Sequence, residues 1–314
     1  MKLIKPSFEI IEQQSGLDGL YKQIELAGRT CYKSEDKITE NSAKKFVDRM
    51  IQSGHGAVLE HGTVYLRYDF KAEEDSNSTA YWLWSKYNKN KYSESVQAQP
   101  IPGVPNGFVA ITTNYRVLVE NDWLDDLKYL CEPTEYHKKR VCVRFICDRV
   151  TGESFLRHRV FSFARESTRY CNYSKDKFNN ELTFIKPCWI KEEDLPKVFN
   201  HYTKDAWGSL FYGFYYGVTE KGKSAGFNVS PERNFLFSLQ VAEQLYLELL
   251  NQGWKPQQAR NVLPFCIKSP LIMTGFVSDW KHFFDLRCDS AAHPQARELA
   301  IPLKEEFIKR GYEI

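Results

Sequence analysis

Between Arg157 and Tyr170 the chain reads Arg-His-Arg-Val-Phe-Ser-Phe-Ala-Arg-Glu-Ser-Thr-Arg-Tyr, with four arginines and a histidine in fourteen residues. Arginine presents planar, paired donors that match phosphate and carboxylate groups, and it keeps its charge. So many fixed cations beside the hydroxyls of Ser162, Ser167, Thr168 and Tyr170 suggest a site for an anion with several oxygens, such as a nucleotide phosphate. A solvated basic helix face is the competing reading. The apolar segment upstream and the two phenylalanines inside the cluster argue against it.

That upstream segment, Val141–Cys147, reads as a strand feeding the cationic stretch. Thr151 is placed as the cap of a helix through Glu153, Phe155 and Leu156 that delivers Arg157. The N-terminal amides of such a helix favour anions, as the arginines do. Other segments fall around this centre. Ser7–Gln13 predicts a strand; Leu17, Leu20, Tyr21, Ile24 and Ala27 recur at helical spacing; and a helix capped by Asn41 ends at Gly54. His55, on the following loop, is a candidate ligand contact, while Glu60 and His61 are expected to pair with each other. Thr63–Phe70 predicts a strand, and Phe108–Glu120 a hairpin around Thr113-Asn114. Pro100–Gly107 is rich in turn residues. Downstream come a strand at Glu181–Ile185, an aromatic-rich segment Asp205–Val218 and a long helix from Pro231 to about Asn251. A short helix from Pro256, a strand at Pro270–Phe276 and helices from Ser278 to Arg287 and His293 to Arg310 complete the chain. The segment of about 71–138 is expected to be an insertion between core strands.

Bulk properties narrow the class. A chain of 314 residues with 42% hydrophobic and 26% charged side chains has the composition of a globular protein. A net charge of +3 does not by itself point to nucleic acid. The eight cysteines include no C-x-x-C pair, and the seven histidines lack zinc-ligand spacing, so no metal is expected. Met1–Pro6 has no apolar core, and no run reaches bilayer length, so the expectation is a cytoplasmic protein with no membrane partner.

Arg157-His158-Arg159, seven residues, Ser167, then Arg169-Tyr170 resembles the signature of the flavin-dependent thymidylate synthases. Ala259-Arg260-Asn261-Val262-Leu263-Pro264 is similar to that family's A-R-x-x-L-P segment. Trp280–Arg287 and His293–Glu298 are similar to its two closing helices. The resemblance implies an α/β fold of α+β type, with a mixed central sheet flanked by long helices in a single domain, 1–314. It implies reductive methylation of dUMP to dTMP, with methylene from 5,10-methylenetetrahydrofolate and hydride from FAD that NADPH has reduced. It also implies a homotetramer with active sites between subunits.

By position, the implied dUMP contacts are Arg157, Ser167, Thr168, Arg169, Arg260 and Arg287. Arg287 would stabilise negative charge on the uracil. The implied FAD contacts are His55, Arg157, His158, Arg159, Arg165 and His282. The chain departs from the family pattern at Arg165, where an acidic or amide residue is usual, and at Ser154, where Gln or Glu is common. Ala57 lacks the hydroxyl of some relatives. A folate-only thymidylate synthase would need an activated cysteine, and Cys188 is the nearest candidate. A non-catalytic nucleotide- or RNA-binding module is the alternative from a different class.

Overall fold

The computed structural model describes residues 1–71, 78–99, 106–175, 178–191, 193 and 230–314. The elements begin with β1 (Lys2–Ile4), β2 (Ser7–Ile11), α1 (Gly16–Tyr32), α2 (Ser42–Gln52), β3 (Thr63–Lys71), α3 (Ser78–Asn88) and β4 (Glu94–Ala98). Next are β5 (Asn106–Asn114), α4 (Tyr115–Glu120), β6 (Arg140–Asp148), α5 (Arg149–Phe155), β7 (Ser162–Arg165) and β8 (Thr183–Ile185). The last are α6 (Pro231–Asn251), α7 (Pro256–Ala259), β9 (Lys268–Phe276), α8 (Val277–Arg287) and α9 (Pro294–Lys309). The sequence-predicted aromatic segment Asp205–Val218 lies outside the described residues.

The cationic stretch is organised by a four-stranded sheet of order β2-β6-β9-β7, in which each neighbouring pair is antiparallel. Side chains alternate between the faces of a strand, so Val-Cys-Val-Arg-Phe-Ile-Cys in β6 builds two apolar faces. On one, Val143 and Phe145 join Leu271 and Met273 of β9 against Trp280, Phe283 and Phe284 of α8 and Leu299, Leu303 and Phe307 of α9. On the other, Cys142, Ile272 and Ala164 pack with Ala27 of α1. Helices therefore cover both faces. Trp280 is fully buried and donates its indole N–H to the Val141 carbonyl at 3.2 Å, which satisfies its one polar group.

The segment of about 71–138 builds much of a second, antiparallel sheet of order β3-β5-β4. Leu83 and Tyr87 of α3, Val109 and Ile111 of β5, and Val117 and Leu118 of α4 share one core with Leu20, Ile24, Phe46 and Val47 of α1 and α2. The sequence-predicted hairpin at Phe108–Glu120 is corrected to a strand followed by a helix. Asn114 does not turn the chain back; its side-chain oxygen caps α4 by accepting from the Val117 N–H at 3.3 Å. The cap of α5 is likewise Asp148 and not Thr151. Asp148 Oδ1 accepts from the Thr151 N–H at 2.8 Å.

The chain divides into two compact units, Met1–Lys5 with Asn172–Ile267, and Pro6–Cys171 with Lys268–Ile314. The sheets above belong to the second. In the first, β1 and β8 pair in parallel, and the Met1 ammonium lies 2.9 Å from the Glu243 carboxylate of α6. No described helix is long and apolar enough to cross a membrane.

Candidate active site

The cationic stretch is held at three points, and those anchors decide which side chains face outward. Phe155 at the end of α5 is fully buried, with its ring 5.0 Å from both Phe145 and Phe283. The His158 N–H then bonds the Phe155 carbonyl at 3.0 Å and the Phe161 N–H bonds the His158 carbonyl at 3.2 Å. This tight path buries His158 and leaves Arg157, Arg159 and Val160 exposed. Phe161 docks over Gly275, where a Cβ would lie 2.4 Å from its ring, so only glycine permits the approach. β7 pairs with β9, and the Ser167 N–H then bonds the Cys31 carbonyl at the end of α1 at 2.9 Å.

Two clusters result, one at each end of β7. Four strand residues separate them by about 13 Å of chain. At the first, Arg287 of α8 donates its Nε–H to His158 Nε2 at 3.0 Å and a second N–H to the Ser154 carbonyl at 2.6 Å. Burial first, then the neighbouring Arg287 and His282, lower the His158 pKa to about 4. Its ring is therefore neutral near pH 7 and accepts from Arg287 through Nε2, so its proton sits on Nδ1. Burial, followed by the nearby Arg157, also holds Arg287 below the ordinary arginine value. The exposed His282 ring lies 6.0 Å from that of His158. Among the described residues, Arg157 and Arg159 make no side-chain ion pair or hydrogen bond, which leaves both guanidinium groups available to an anion.

At the second cluster the Arg169 N–H bonds Ser167 Oγ at 3.3 Å, and the Arg169 guanidinium lies 4.5 Å over the Tyr170 ring. Tyr170 in turn packs against Tyr32 with ring centres 5.4 Å apart. The Tyr32 hydroxyl meets His55 Nδ1 at 3.2 Å. His55, expected to serve the flavin, thus sits with Ser167 and Arg169, and Arg287, expected at the uracil, sits with Arg157 and His158. Thr168 is buried between Ser167 and Arg169 in this second cluster. Arg260 belongs to the other unit, half-buried in a 3-10 turn at Arg260–Val262.

The two sequence departures, Arg165 and Ser154, each have a structural contact of their own. Arg165 lies 2.9 Å from Glu153, the residue beside Ser154, while its Nη1 is buried without a hydrogen bond. The Arg165 side chain is committed to α5. Ser154 contributes through its backbone carbonyl, a contact that does not depend on residue type. The expected Glu60–His61 pair does not form. Glu60 pairs with Arg116 at 2.6 Å, and His61 Nδ1 meets Thr274 Oγ1 at 2.8 Å. Tyr32 escaped the sequence reading because nothing in its local pattern distinguishes it from a helix-end aromatic. The amino end of α5, expected to favour an anion, already holds the Asp148 carboxylate.

Helix-covered antiparallel sheets thus carry the arginine cluster, and comparison with known proteins places the chain in a family. The family model described as thymidylate synthase complementing protein matches residues 138–310, more than half of the chain. The chain belongs to that family. The flavin-dependent thymidylate synthase of Synechocystis sp. is 38% identical over 162 residues, which is 51% of this chain and 62% of that protein. That of Pyrococcus furiosus is 30% identical over 166 residues, 52% of each chain. The chain thus spans about half the length of several curated relatives it matches. A solved UMP/dUMP methylase from Streptomyces cacaoi, bound with 5-Br dUMP, aligns over 98% of this chain and 93% of that one. Its identity is 17% and the TM-score 0.40, too low to carry a structural argument.

Proposed function

We propose that the protein converts dUMP to dTMP by reductive methylation, with 5,10-methylenetetrahydrofolate as methylene donor and FAD, reduced by NADPH, as hydride source. The observation that carries this reading is the junction of Arg287 with His158 inside the family signature. It holds one guanidinium rigidly through His158 Nε2 and the Ser154 carbonyl. A planar cation held in this way suits a uracil whose ring becomes negatively charged as C5 turns nucleophilic. Arg169 and Ser167, with Thr168, suit the dUMP phosphate, and the family pattern implies a dUMP contact for Arg260.

The residues present also fit a flavin dinucleotide. Arg157 and Arg159 offer exposed guanidinium groups with no side-chain partner among the described residues, matching its phosphates, and His55 and His282 present exposed rings. Bound FAD would supply the hydride. Neutral His158 keeps Arg287 oriented, and Arg165, tied to Glu153, supports the strand without entering the site. A homotetramer with sites shared between subunits accounts for both clusters being exposed and separated in one chain.

The test is formation of dTMP from dUMP by the purified protein, with FAD, NADPH and methylenetetrahydrofolate omitted in turn. Product that requires all three supports the reading. Absence of product, with no blue-absorbing flavin retained after FAD addition, overturns it.

A further inference from the structure

The carboxyl end of α1 brings Tyr32 to the second cluster through the backbone alone. Lys33 closes the helix in the left-handed conformation, with φ at 47°. The Lys33 and Ser34 N–H groups bond the Thr30 and Arg29 carbonyls at 3.3 and 3.0 Å, which fixes the last turn. The Cys31 carbonyl in that turn accepts the Ser167 N–H at 2.9 Å, so the signature stretch is docked onto it. Tyr32 is thereby set beside Ser167-Thr168-Arg169-Tyr170.

Its side chain makes two contacts there. The ring packs on Tyr170, with centres 5.4 Å apart and planes at 50°. The hydroxyl meets His55 Nδ1 at 3.2 Å. Burial, more than any neighbouring group, raises the Tyr32 pKa, so the phenol keeps its proton and can donate it to that nitrogen. Tyr170 in turn holds Arg169, whose guanidinium lies 4.5 Å from the ring centre and also donates to the Tyr170 hydroxyl. Among the described residues no carboxylate pairs with Arg169. An exposed arginine has many rotamers to lose when it grips an anion, and a ring that holds it beforehand removes part of that loss. Core packing does not account for the arrangement, because Tyr170 is 54% exposed.

We propose, resting on the assignment of Arg169 to the dUMP phosphate, that Tyr32 is a positioning residue for that phosphate. Anchored by His55, it supports the Tyr170 ring, and the ring holds the Arg169 guanidinium ready.

The test is the affinity of the FAD-loaded protein for dUMP by isothermal titration, with kcat and KM measured alongside. In Tyr32→Leu the Tyr170 ring loses its support, and dUMP should bind about two- to fivefold more weakly, the scale of an exposed cation–π contact. KM for dUMP should rise by the same factor while kcat holds. Tyr32→Phe keeps the ring and should restore most of the affinity. In an Arg169→Ala background Tyr32→Leu should add nothing, because the group it positions is gone. Unchanged affinity in Tyr32→Leu, where Arg169→Ala is weakened, overturns the positioning role and leaves the phosphate assignment standing. An equal loss in both backgrounds overturns the role too, as does a Tyr32→Phe protein as weak as Tyr32→Leu. If Arg169→Ala binds dUMP as wild type does, the phosphate assignment fails and this role with it. Should Tyr32→Leu not fold, Tyr170→Leu, at an exposed position, breaks the same contact with the same expected loss, and unchanged affinity there overturns the role.

Discussion

Replacing Arg287 by glutamine removes the charge while leaving a side chain that can still reach a hydrogen-bond acceptor. In the structure that guanidinium is held by His158 Nε2 at 3.0 Å and the Ser154 carbonyl at 2.6 Å, so it does not reorganise when substrate arrives. Loss of one preorganised group that stabilises developing negative charge costs about 2.7–4 kcal/mol, or about 10²–10³ in turnover. Because the interaction strengthens in the transition state, kcat and kcat/KM for dUMP should fall together, with KM little changed. The same substitution has a second readout that needs no substrate. Burial is the larger cause of the low His158 pKa of about 4, and Arg287 is the next. In Arg287→Gln the His158 pKa should rise from about 4 yet remain below the ordinary value of 6.5, because the burial persists. NMR titration of ¹³C-labelled histidines reads this directly. A folded Arg287→Gln protein with turnover within about tenfold of wild type would refute the catalytic reasoning, and an unmoved His158 would refute the electrostatic reasoning.

Glu153→Ala should destabilise the fold by about 1 kcal/mol, the scale of a half-exposed ion pair, because Arg165 loses its carboxylate. Adding Arg165→Met should recover stability, and urea midpoints that show no coupling between the two changes would contradict the pairing. Stability should also fall with acid: burial holds His158 at about 4 and His61 at about 3, both below the ordinary 6.5. The unfolded chain therefore takes up protons first, so these contributions are intact above about pH 6.5 and decline as pH falls toward 4. For His158 alone the loss by pH 4 is roughly 3 kcal/mol. Urea unfolding from pH 7 to pH 4 should show this decline, with a shallower slope in His158→Gln; a flat profile would contradict it. Cys188→Ala should leave dTMP formation largely intact in steady-state assays, whereas complete loss would favour a cysteine nucleophile.

Where side-chain identity itself carries the chemistry, the sequence was readable. Arg157 to Tyr170 stood out as a cationic run, and Val141–Cys147 and Pro270–Phe276 announced buried strands that pair as β6 and β9. Long-range pairings were not readable. Nothing near Arg165 points to Glu153, and nothing near Arg287 points to the Ser154 carbonyl 133 residues away. The misplaced hairpin has a local cause. Asn114 favours turns and helix caps equally, and apolar Tyr115, Val117 and Leu118 fit either a returning strand or a short helix. Burial of all three against the α1–α2 core selects the helix. Asp148 and Thr151 posed a similar ambiguity, settled by which oxygen reaches the exposed amide.

The most direct measurement is tritium release from [5-³H]dUMP by the purified protein with FAD, NADPH and methylenetetrahydrofolate, compared with an Arg169→Ala variant. Tritium release that requires all three co-reactants, and that in Arg169→Ala is restored only at raised dUMP, is the predicted result. No release from the flavin-loaded wild-type protein, or release that proceeds without FAD, would contradict it.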